Sequence, residues 1–363
     1  MTAKQTTSAS LGALLSVLVS PALADDDPVT DEQPAGEVQP KKLEMMPKRT
    51  PTGTFSLGAG YSTDEGFMAM TEIYQPRLFG TDKGLRLRTV ITERRIESLM
   101  RYEDPTLFDA YHLRADLYNR TKVYKEFKRE AAGGEITLGQ RIAPNLDFFV
   151  GYKLEHAEVG YGAEPSLFRS TTPVADDWGG GGMIGALRFG VNYSTIAPSD
   201  SFYPMRGTTF GATLEVADRR LGSDIEYLRS DGWFGHHRGL GPFTLHLSGK
   251  VSSITDVPMS ERLHFDGSSD VRGYAPGAIM QYGGNVLWTV RTELETPSVA
   301  NLSLTGFFDA GGLHTHETGQ TIGSVGVGLV WRSPIGPLRF DWAVPLSGAD
   351  RSTRFIFGVG GRF

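Results

Sequence analysis

The chain of 363 residues contains no cysteine. This absence excludes disulfide bridges, thiol catalysis and cysteine-ligated metal sites. There is no basic excess either, because the net charge is -6 with both signs interspersed, so the sequence offers no electrostatic footprint for nucleic acid. A catalytic signature such as G-x-S-x-G is also lacking. We therefore expect neither an enzyme nor a bound metal or cofactor.

Long apolar runs are missing as well. The run "LGALLSVLVS" follows Lys4, is too short to cross a bilayer, and is followed by the small-residue sequence Ala22–Ala24. We predict a signal peptide over residues 1–24. The acidic, proline-bearing stretch 25–52 has little apolar surface to bury, which indicates a disordered periplasmic linker. Residues 53–363 form the third predicted region.

In this third region, apolar residues alternate with polar or small residues at a period of two. In "TFSLGAGY", Phe55, Leu57 and Tyr61 share one face, and similar patterns recur to the C-terminus. A soluble β-sandwich also alternates, but here aromatic residues lie near the strand ends, as membrane interfaces require. The pattern predicts an all-β fold, a 16-stranded antiparallel transmembrane β-barrel in the outer membrane of a Gram-negative cell. The predicted strands are 54–62, 66–76, 85–93, 95–103, 110–120, 133–142, 146–158, 182–193, 206–217, 221–233, 241–253, 286–296, 300–311, 322–333, 337–346 and 353–363.

A long segment without alternation, residues 257–284, carries the tetrad Val271-Arg272-Gly273-Tyr274. Loops of this length in compact proteins are usually functional or disordered. Asp309 is an inward carboxylate on a predicted strand, and an arginine on a loop folded into the lumen would form a bidentate pair with it. Gly273 permits a backbone turn that a side chain would oppose.

These features resemble the outer-membrane protein 85 superfamily, which includes BamA, TamA and the two-partner-secretion transporters. The resemblance rests on Val271-Arg272-Gly273-Tyr274, "FFDAGGL", "GVGLVWRSPIGPLRFDWAVPL" and Phe363, with "SDSFYPMRGTTFGATLEVA" as a weaker match. It implies a sixteen-stranded barrel of the bacterial surface antigen type, whose sixth extracellular loop folds into the lumen. It also implies that Arg272 pairs with Asp309. The terminal strand implies an assembly signal formed by Phe355, Phe357, Val359 and Phe363.

Relatives in this superfamily carry periplasmic POTRA domains before the barrel, and 28 residues separate the predicted signal peptide from the first strand. We therefore expect a version without POTRA domains. Glycines lie on the first and last strands, which must pair to close the barrel. They indicate either close packing at a corner or a weak lateral seam. The seam residues are Gly58, Gly60, Gly358, Gly360 and Gly361.

Three functions remain open. The barrel would assist insertion or translocation of proteins or lipids at the first/last-strand seam. A second possibility is a gated channel plugged by the Val-Arg-Gly-Tyr loop. A third is the barrel subunit of a complex in which a periplasmic partner supplies the receptor function. The expected partners are outer-membrane lipid, unfolded outer-membrane proteins or a POTRA-like partner, and the cell's barrel assembly machinery would insert the chain itself. The histidines of "HTHE" and "GHHRG" are predicted to lie in solvated loops.

Overall fold

The structure is a computed structural model that describes residues 53–359. Within this range it leaves out 63–65, 109, 162–166, 168–171, 174–180, 198–202, 334–335 and 349–350. The predicted signal peptide, the predicted linker and the last four residues lie outside the described residues.

The described residues form sixteen antiparallel strands that close into a barrel. Each strand pairs with its neighbour in the chain, and β1 pairs with β16. This confirms the predicted fold class. A further two-residue strand, Thr172–Pro173, pairs with the end of β7. The strands are β1 Thr54–Ser62, β2 Gly66–Gln75, β3 Gly84–Thr92, β4 Arg95–Leu107, β5 Tyr111–Val123, β6 Phe127–Ala143, β7 Leu146–Tyr161, β8 Gly181–Ser194, β9 Gly207–Ala217, β10 Tyr227–Leu240, β11 Phe243–Ile254, β12 Val286–Glu295, β13 Leu302–His314, β14 Gly319–Ser333, β15 Gly336–Pro345 and β16 Arg354–Val359.

The two faces of the wall differ in chemistry because side chains alternate along each strand. Outward positions expose large apolar side chains, including Phe55, Leu57, Ile136, Phe210 and Val327. Inward positions bury charged side chains. Among them are Asp116, Glu135, Glu155, Glu215, Glu293, Glu295, Asp309, Arg339 and Asp341. In the residues that the structure describes, no helix is long and apolar enough to cross a membrane.

Two strands extend beyond their predicted bounds by six residues or more. The sequence predicts a strand over 133–142, but β6 begins at Phe127. It also predicts 221–233, whereas β10 runs from Tyr227 to Leu240. In each extension a polar residue at an outward position, Lys128 or His236, interrupts the apolar alternation, although the hydrogen-bonded ladder continues.

Wall height varies around the barrel. β6 and β7 have 17 and 16 residues, while β1 has 9 and β16 has 6 in its described part. At about 3.3 Å per residue, the wall on the β6–β7 side is nearly twice as long as β1. Among the described residues, the wall is therefore shorter at β1 than at β6 and β7.

Inside the wall, Gly133 on β6 lies against the backbone of β7. A Cβ there would approach Leu154 O to 2.6 Å and the Tyr118 hydroxyl oxygen to 3.0 Å. We expect Gly133→Ala to destabilise the barrel by about 1–3 kcal/mol, the usual cost of overpacking. Urea-induced unfolding in detergent micelles measures the loss.

Gly306→Ala is the matched control, because nothing lies within 4 Å of a Cβ at that outward position of β13. Its free energy of unfolding should change by less than about 0.5 kcal/mol. Equal effects of the two substitutions would contradict the packing argument.

Candidate functional site

The connection between β11 and β12, residues 255–285, folds into the barrel; we call it the lumen loop. It contains two short 3-10 turns, Met259–Glu261 and Gly267–Ser269. Its apolar side chains are buried in one cluster with inward residues of the wall. The shared members include Leu263, Phe265, Val271, Tyr274, Leu287, Leu313 and Ile322. The loop is thus packed as a core inside the barrel.

The guanidinium of Arg272 is the polar centre of this core. Its Nε donates to Asp309 Oδ2 at 2.7 Å and its Nη2 donates to Oδ1 at 2.8 Å, a bidentate pair. Its backbone N–H donates to the same carboxylate at 3.2 Å. The Cζ atom lies 3.5 Å from the centroid of the Phe307 ring. The structure therefore places Arg272 and Asp309 in direct contact, both buried.

Two further carboxylates surround the same guanidinium. Nη1 of Arg272 donates to Glu293 at 3.0 Å and to Asp341 at 3.1 Å. Arg339 bonds to both acids, at 2.8 Å to Asp341 and also to Glu293. Burial by itself would lower the pKa of Arg272, but the hydrogen bonds and charge of Asp309 outweigh it and raise that pKa. The guanidinium stays charged at every accessible pH.

Charge is balanced in this buried group. Arg291 lies beside it, with Nε 3.9 Å from Asp309 Oδ2, and its Nη2 donates to the backbone carbonyl of Ser268 at 2.7 Å. Three guanidiniums therefore meet three carboxylates. We call this set the lumen cluster: Arg272, Arg291, Glu293, Asp309, Arg339 and Asp341.

The other residues of the tetrad fix the backbone around Arg272. Val271 is fully buried, and its Cγ2 occupies the space that a Cβ on Gly311 would need. Gly273 has a φ of 91°, and a Cβ there would lie 3.1 Å from the Cβ of Ala343. The Tyr274 hydroxyl donates to Gly323 O at 2.7 Å and accepts from the backbone N–H of Ser347 at 3.2 Å. All four residues fasten the loop to the β12–β15 wall or the loop that follows it.

A second anchor holds the lumen loop to the opposite wall. Phe127 stacks on Tyr124 with ring centroids 4.5 Å apart, and His264 of the loop lies against both rings. Arg129 of β6 forms a bidentate pair with Glu261 at 2.9 Å and also bonds Glu155 at 2.6 Å. The loop therefore bridges the barrel from β12–β15 to β5–β7.

The periplasmic end of the lumen carries another polar group. The hydroxyl of Tyr203 donates to Glu295 at 2.9 Å, and Arg332 binds the same carboxylate. The Nε2 atom of His246 lies 3.2 Å from Glu295 Oε2, and its Nδ1 atom lies 2.9 Å from Nδ1 of His237. The prediction that the histidines of "GHHRG" are solvated is wrong for His237, which is buried because β10 continues past the predicted strand end.

The predicted seam residues occupy the closing strands. Gly60 pairs with Gly358 across β1 and β16, and Gly58 pairs with Met70 of β2. Phe355 and Phe357 face outward, where Phe357 packs on Phe340 with centroids 4.8 Å apart. Val359 ends the described part of β16. Gly360, Gly361 and Phe363 lie outside the described residues.

Sequence reasoning missed several members of the site. The sequence analysis did not predict that Glu293 and Asp341 contact Arg272, and it did not predict the second anchor. Their inward parity on β12 and β15 was visible in the sequence. Strand register decides which inward charges lie at the same depth in the barrel, and the sequence does not show the register.

We expect Arg272→Ala to loosen the lumen loop without preventing barrel closure. Removing the cation leaves three buried carboxylates with two guanidiniums, and breaking buried pairs of this kind costs about 3–5 kcal/mol. Protease cleavage within residues 255–285 of the folded barrel measures the effect. Lys125→Ala is the control, since Lys125 bonds Gln281 of the same loop at 3.1 Å from an exposed position. Cleavage as slow as in the unchanged chain would refute the anchoring role of Arg272.

The second anchor should weaken in acid. Burial lowers the pKa of His264 to about 4, although its hydrogen bond to Met259 O opposes the shift. The neutral ring therefore stabilises the fold fully above pH 6.5, and this contribution is lost as the pH falls from 6.5 towards 4. Heat-unfolding midpoints between pH 7.5 and 4 should fall less steeply in His264→Phe than in the unchanged chain.

His316→Phe is the matched control, because that side chain is exposed on the neighbouring β13–β14 hairpin. An identical pH profile for all three proteins would show that His264 does not titrate with unfolding.

The fold has counterparts among known proteins. The barrel of BamA from Haemophilus ducreyi lacking POTRA domains 1–3 superposes with a TM-score of 0.69 at 20% identity, covering 86% of this chain and 70% of that one. CdiB from Acinetobacter baumannii gives a TM-score of 0.63 at 13% identity, covering 86% and 60%. These two similarities concern the fold.

Sequence comparison also finds BamA proteins as relatives. The chain is 25% identical to the outer membrane protein assembly factor BamA of Neisseria meningitidis, over 91% of this chain and 49% of that protein. The BamA of Nitratidesulfovibrio vulgaris is also 25% identical, over 88% and 43%. The chain thus spans about half the length of the curated relatives that it matches. The model of the Omp85 superfamily domain matches residues 77–363, and the chain belongs to the Omp85 superfamily.

Proposed function

We propose that this barrel assists the insertion or translocation of proteins at the outer membrane, and that the seam between β1 and β16 is where it acts. The observation that carries the proposal is the pair of facing glycines at that seam. Among the described residues, β1 and β16 are joined by Gly60 to Gly358, Tyr61 to Phe357 and Ser62 to Ile356.

Side chains add little to the seam. Gly60 and Gly358 face each other directly, so their pair has no side-chain contact to lose when the strands part. A Cβ on Gly60 would lie 3.2 Å from Phe357 O, so the two backbones approach closely. An opened β1 would present unpaired backbone N–H and C=O groups, which are a template for another strand.

The outer face of β1 is in contact with lipid. It presents Phe55 and Leu57 to the outside, each about two thirds exposed. A strand that pairs with β1 would therefore form at the lipid boundary, and we propose that a client enters the bilayer at this point.

The lumen cluster would serve this function as a lock that keeps the rest of the wall rigid. Arg272 ties the lumen loop to strands β12, β13 and β15 at once through Glu293, Asp309 and Asp341. The clients that we propose are unfolded outer-membrane proteins. They match the name of the BamA relatives, outer membrane protein assembly factor.

The cysteine-free chain allows a direct test. We expect purified barrel in liposomes to accelerate the folding of an unfolded test barrel compared with empty liposomes. A disulfide between Gly60→Cys and Gly358→Cys should abolish the acceleration, because directly opposed residues of antiparallel strands have the spacing that a disulfide needs. A reductant should restore it.

Each single cysteine variant is a control for the substitution itself, and an unrelated barrel controls for protein-induced bilayer defects. Full acceleration by the oxidised double variant would refute the seam as the site of action. No acceleration by the unchanged barrel would refute insertion by the barrel alone.

A gated channel is the second candidate, favoured by one observation. The lumen contains a cavity of about 270 Å³ beside the lumen cluster, lined by Arg95, Arg291 and Arg339 among others. The lumen loop lies across it, so a channel would conduct when the loop is loosened. Conductance that rises in Arg272→Ala, together with unchanged folding of test barrels, would support this function over the first.

A further inference from the structure

We infer that the inner wall behind the seam is a binding site for a membrane phospholipid. Arg88 and Arg95 would hold its anionic phosphate headgroup, and the acyl chains would leave between Gly60 and Gly358. This inference goes beyond insertion of proteins and does not depend on it.

The first observation is a cavity of about 250 Å³ on the inner surface of β1–β4. It shares Met68 and Arg95 with the cavity beside the lumen cluster, which also reaches Ile356 and Gly358 of β16. The space therefore extends from the lumen loop to both strands of the seam. A ligand here would lie one backbone thickness from the bilayer.

The second observation is the apolar character of this wall. Inward positions near the seam carry Met68, Met70, Val90, Leu99 and Ile356. Elsewhere the inward face carries ion pairs such as Arg101 with Asp116, or Arg188 with Glu135. An apolar strip facing an aqueous lumen is unfavourable unless something apolar covers it. Methionine adapts its shape to flexible ligands such as acyl chains.

The third observation is a pair of arginines without an ion pair. Among the residues that the structure describes, neither Arg88 nor Arg95 has a carboxylate within ion-pair distance, although both line the cavity. Their neighbours are neutralised: Arg86 lies 3.3 Å from Glu72, and the acid between the two arginines, Glu97, lies 3.2 Å from Arg120. A cation without an ion pair in a cavity of a membrane protein marks a site for an anion.

The spacing of these groups fits a lipid headgroup that moves along the wall. Arg88 pairs with Leu99 across β3 and β4, and Arg95 lies four residues nearer the extracellular turn, about 13 Å along the strand. Arginine binds phosphate oxygens through two parallel N–H bonds. The two side chains thus offer successive phosphate positions at different depths, beside one continuous apolar strip.

A client strand is a poorer fit to the same place. A strand added to β1 would bond to backbone atoms at the edge of the sheet, and that pairing gives the two arginines no fixed partner. A phospholipid supplies both halves of the required chemistry, an anionic oxygen cluster and an apolar chain. It is also the molecule most concentrated on the other side of the seam.

The test is native mass spectrometry of the full chain in a nonionic detergent, titrated with phosphatidylglycerol. We expect one lipid to be retained saturably. The double variant Arg88→Gln/Arg95→Gln should raise its dissociation constant at least tenfold. Leu99→Trp, which fills the cavity without changing charge, should do the same and covers the case in which the double variant fails to fold.

Arg229→Gln is the control for loss of lumen charge, because Arg229 pairs with Asp231 at 2.9 Å on β10 and lines neither cavity. It should retain the lipid with an unchanged dissociation constant. Equal lipid retention in the control, the double variant and Leu99→Trp would overturn the assignment.

Competition experiments distinguish a lipid site from a simple anion site and from a site for a protein client. Inorganic phosphate and the chain-free headgroup glycerophosphoglycerol should fail to displace the lipid at concentrations a hundredfold above it; displacement by either would show an anion site and overturn the lipid assignment. Displacement by an acidic amphipathic strand peptide that binds more tightly than the lipid would assign the cavity to a protein client instead. Because no folding reaction is measured, the result stands apart from the liposome experiment.

Discussion

The burial of Arg272 is the constraint on which the rest of this structure depends. A guanidinium that is buried from water is tolerated only where carboxylates and hydrogen bonds replace its water. Asp309, Glu293 and Asp341 do this from three different strands. Those carboxylates in turn need Arg272, together with Arg291 and Arg339. Loop position and strand register are therefore fixed by one another.

This arrangement makes the barrel asymmetric. The lumen loop is fastened to β12–β15 through the lumen cluster and to β5–β7 through Arg129 and the rings of Phe127 and Tyr124. The wall of β1–β4 keeps open cavities on its inner side. The side of the barrel that neither anchor of the lumen loop reaches also contains the facing glycines Gly60 and Gly358, where β1 meets β16.

Much of the fold was predictable because a membrane barrel imposes a period of two on its sequence. Sixteen strands were predicted and sixteen are described, with β1 placed at the predicted bounds. The largest errors in strand bounds lie at the start of β6 and the end of β10, where outward Lys128 and His236 interrupt the apolar alternation. Hydrogen bonding extends a strand in water just as it does in lipid, and the sequence carries no sign of it.

The sequence by itself determined which face of each strand is apolar, that an arginine stands in the long loop, and that Asp309 points inward. Alternation and residue type suffice for these conclusions, because each depends on local geometry alone. Only the tertiary structure decided that Glu293 and Asp341 join Asp309 around Arg272, that His237 is buried, and that Arg88 and Arg95 form no ion pair with another described residue. These facts depend on register and shear around a closed sheet, which bring to one depth residues that are far apart in the chain.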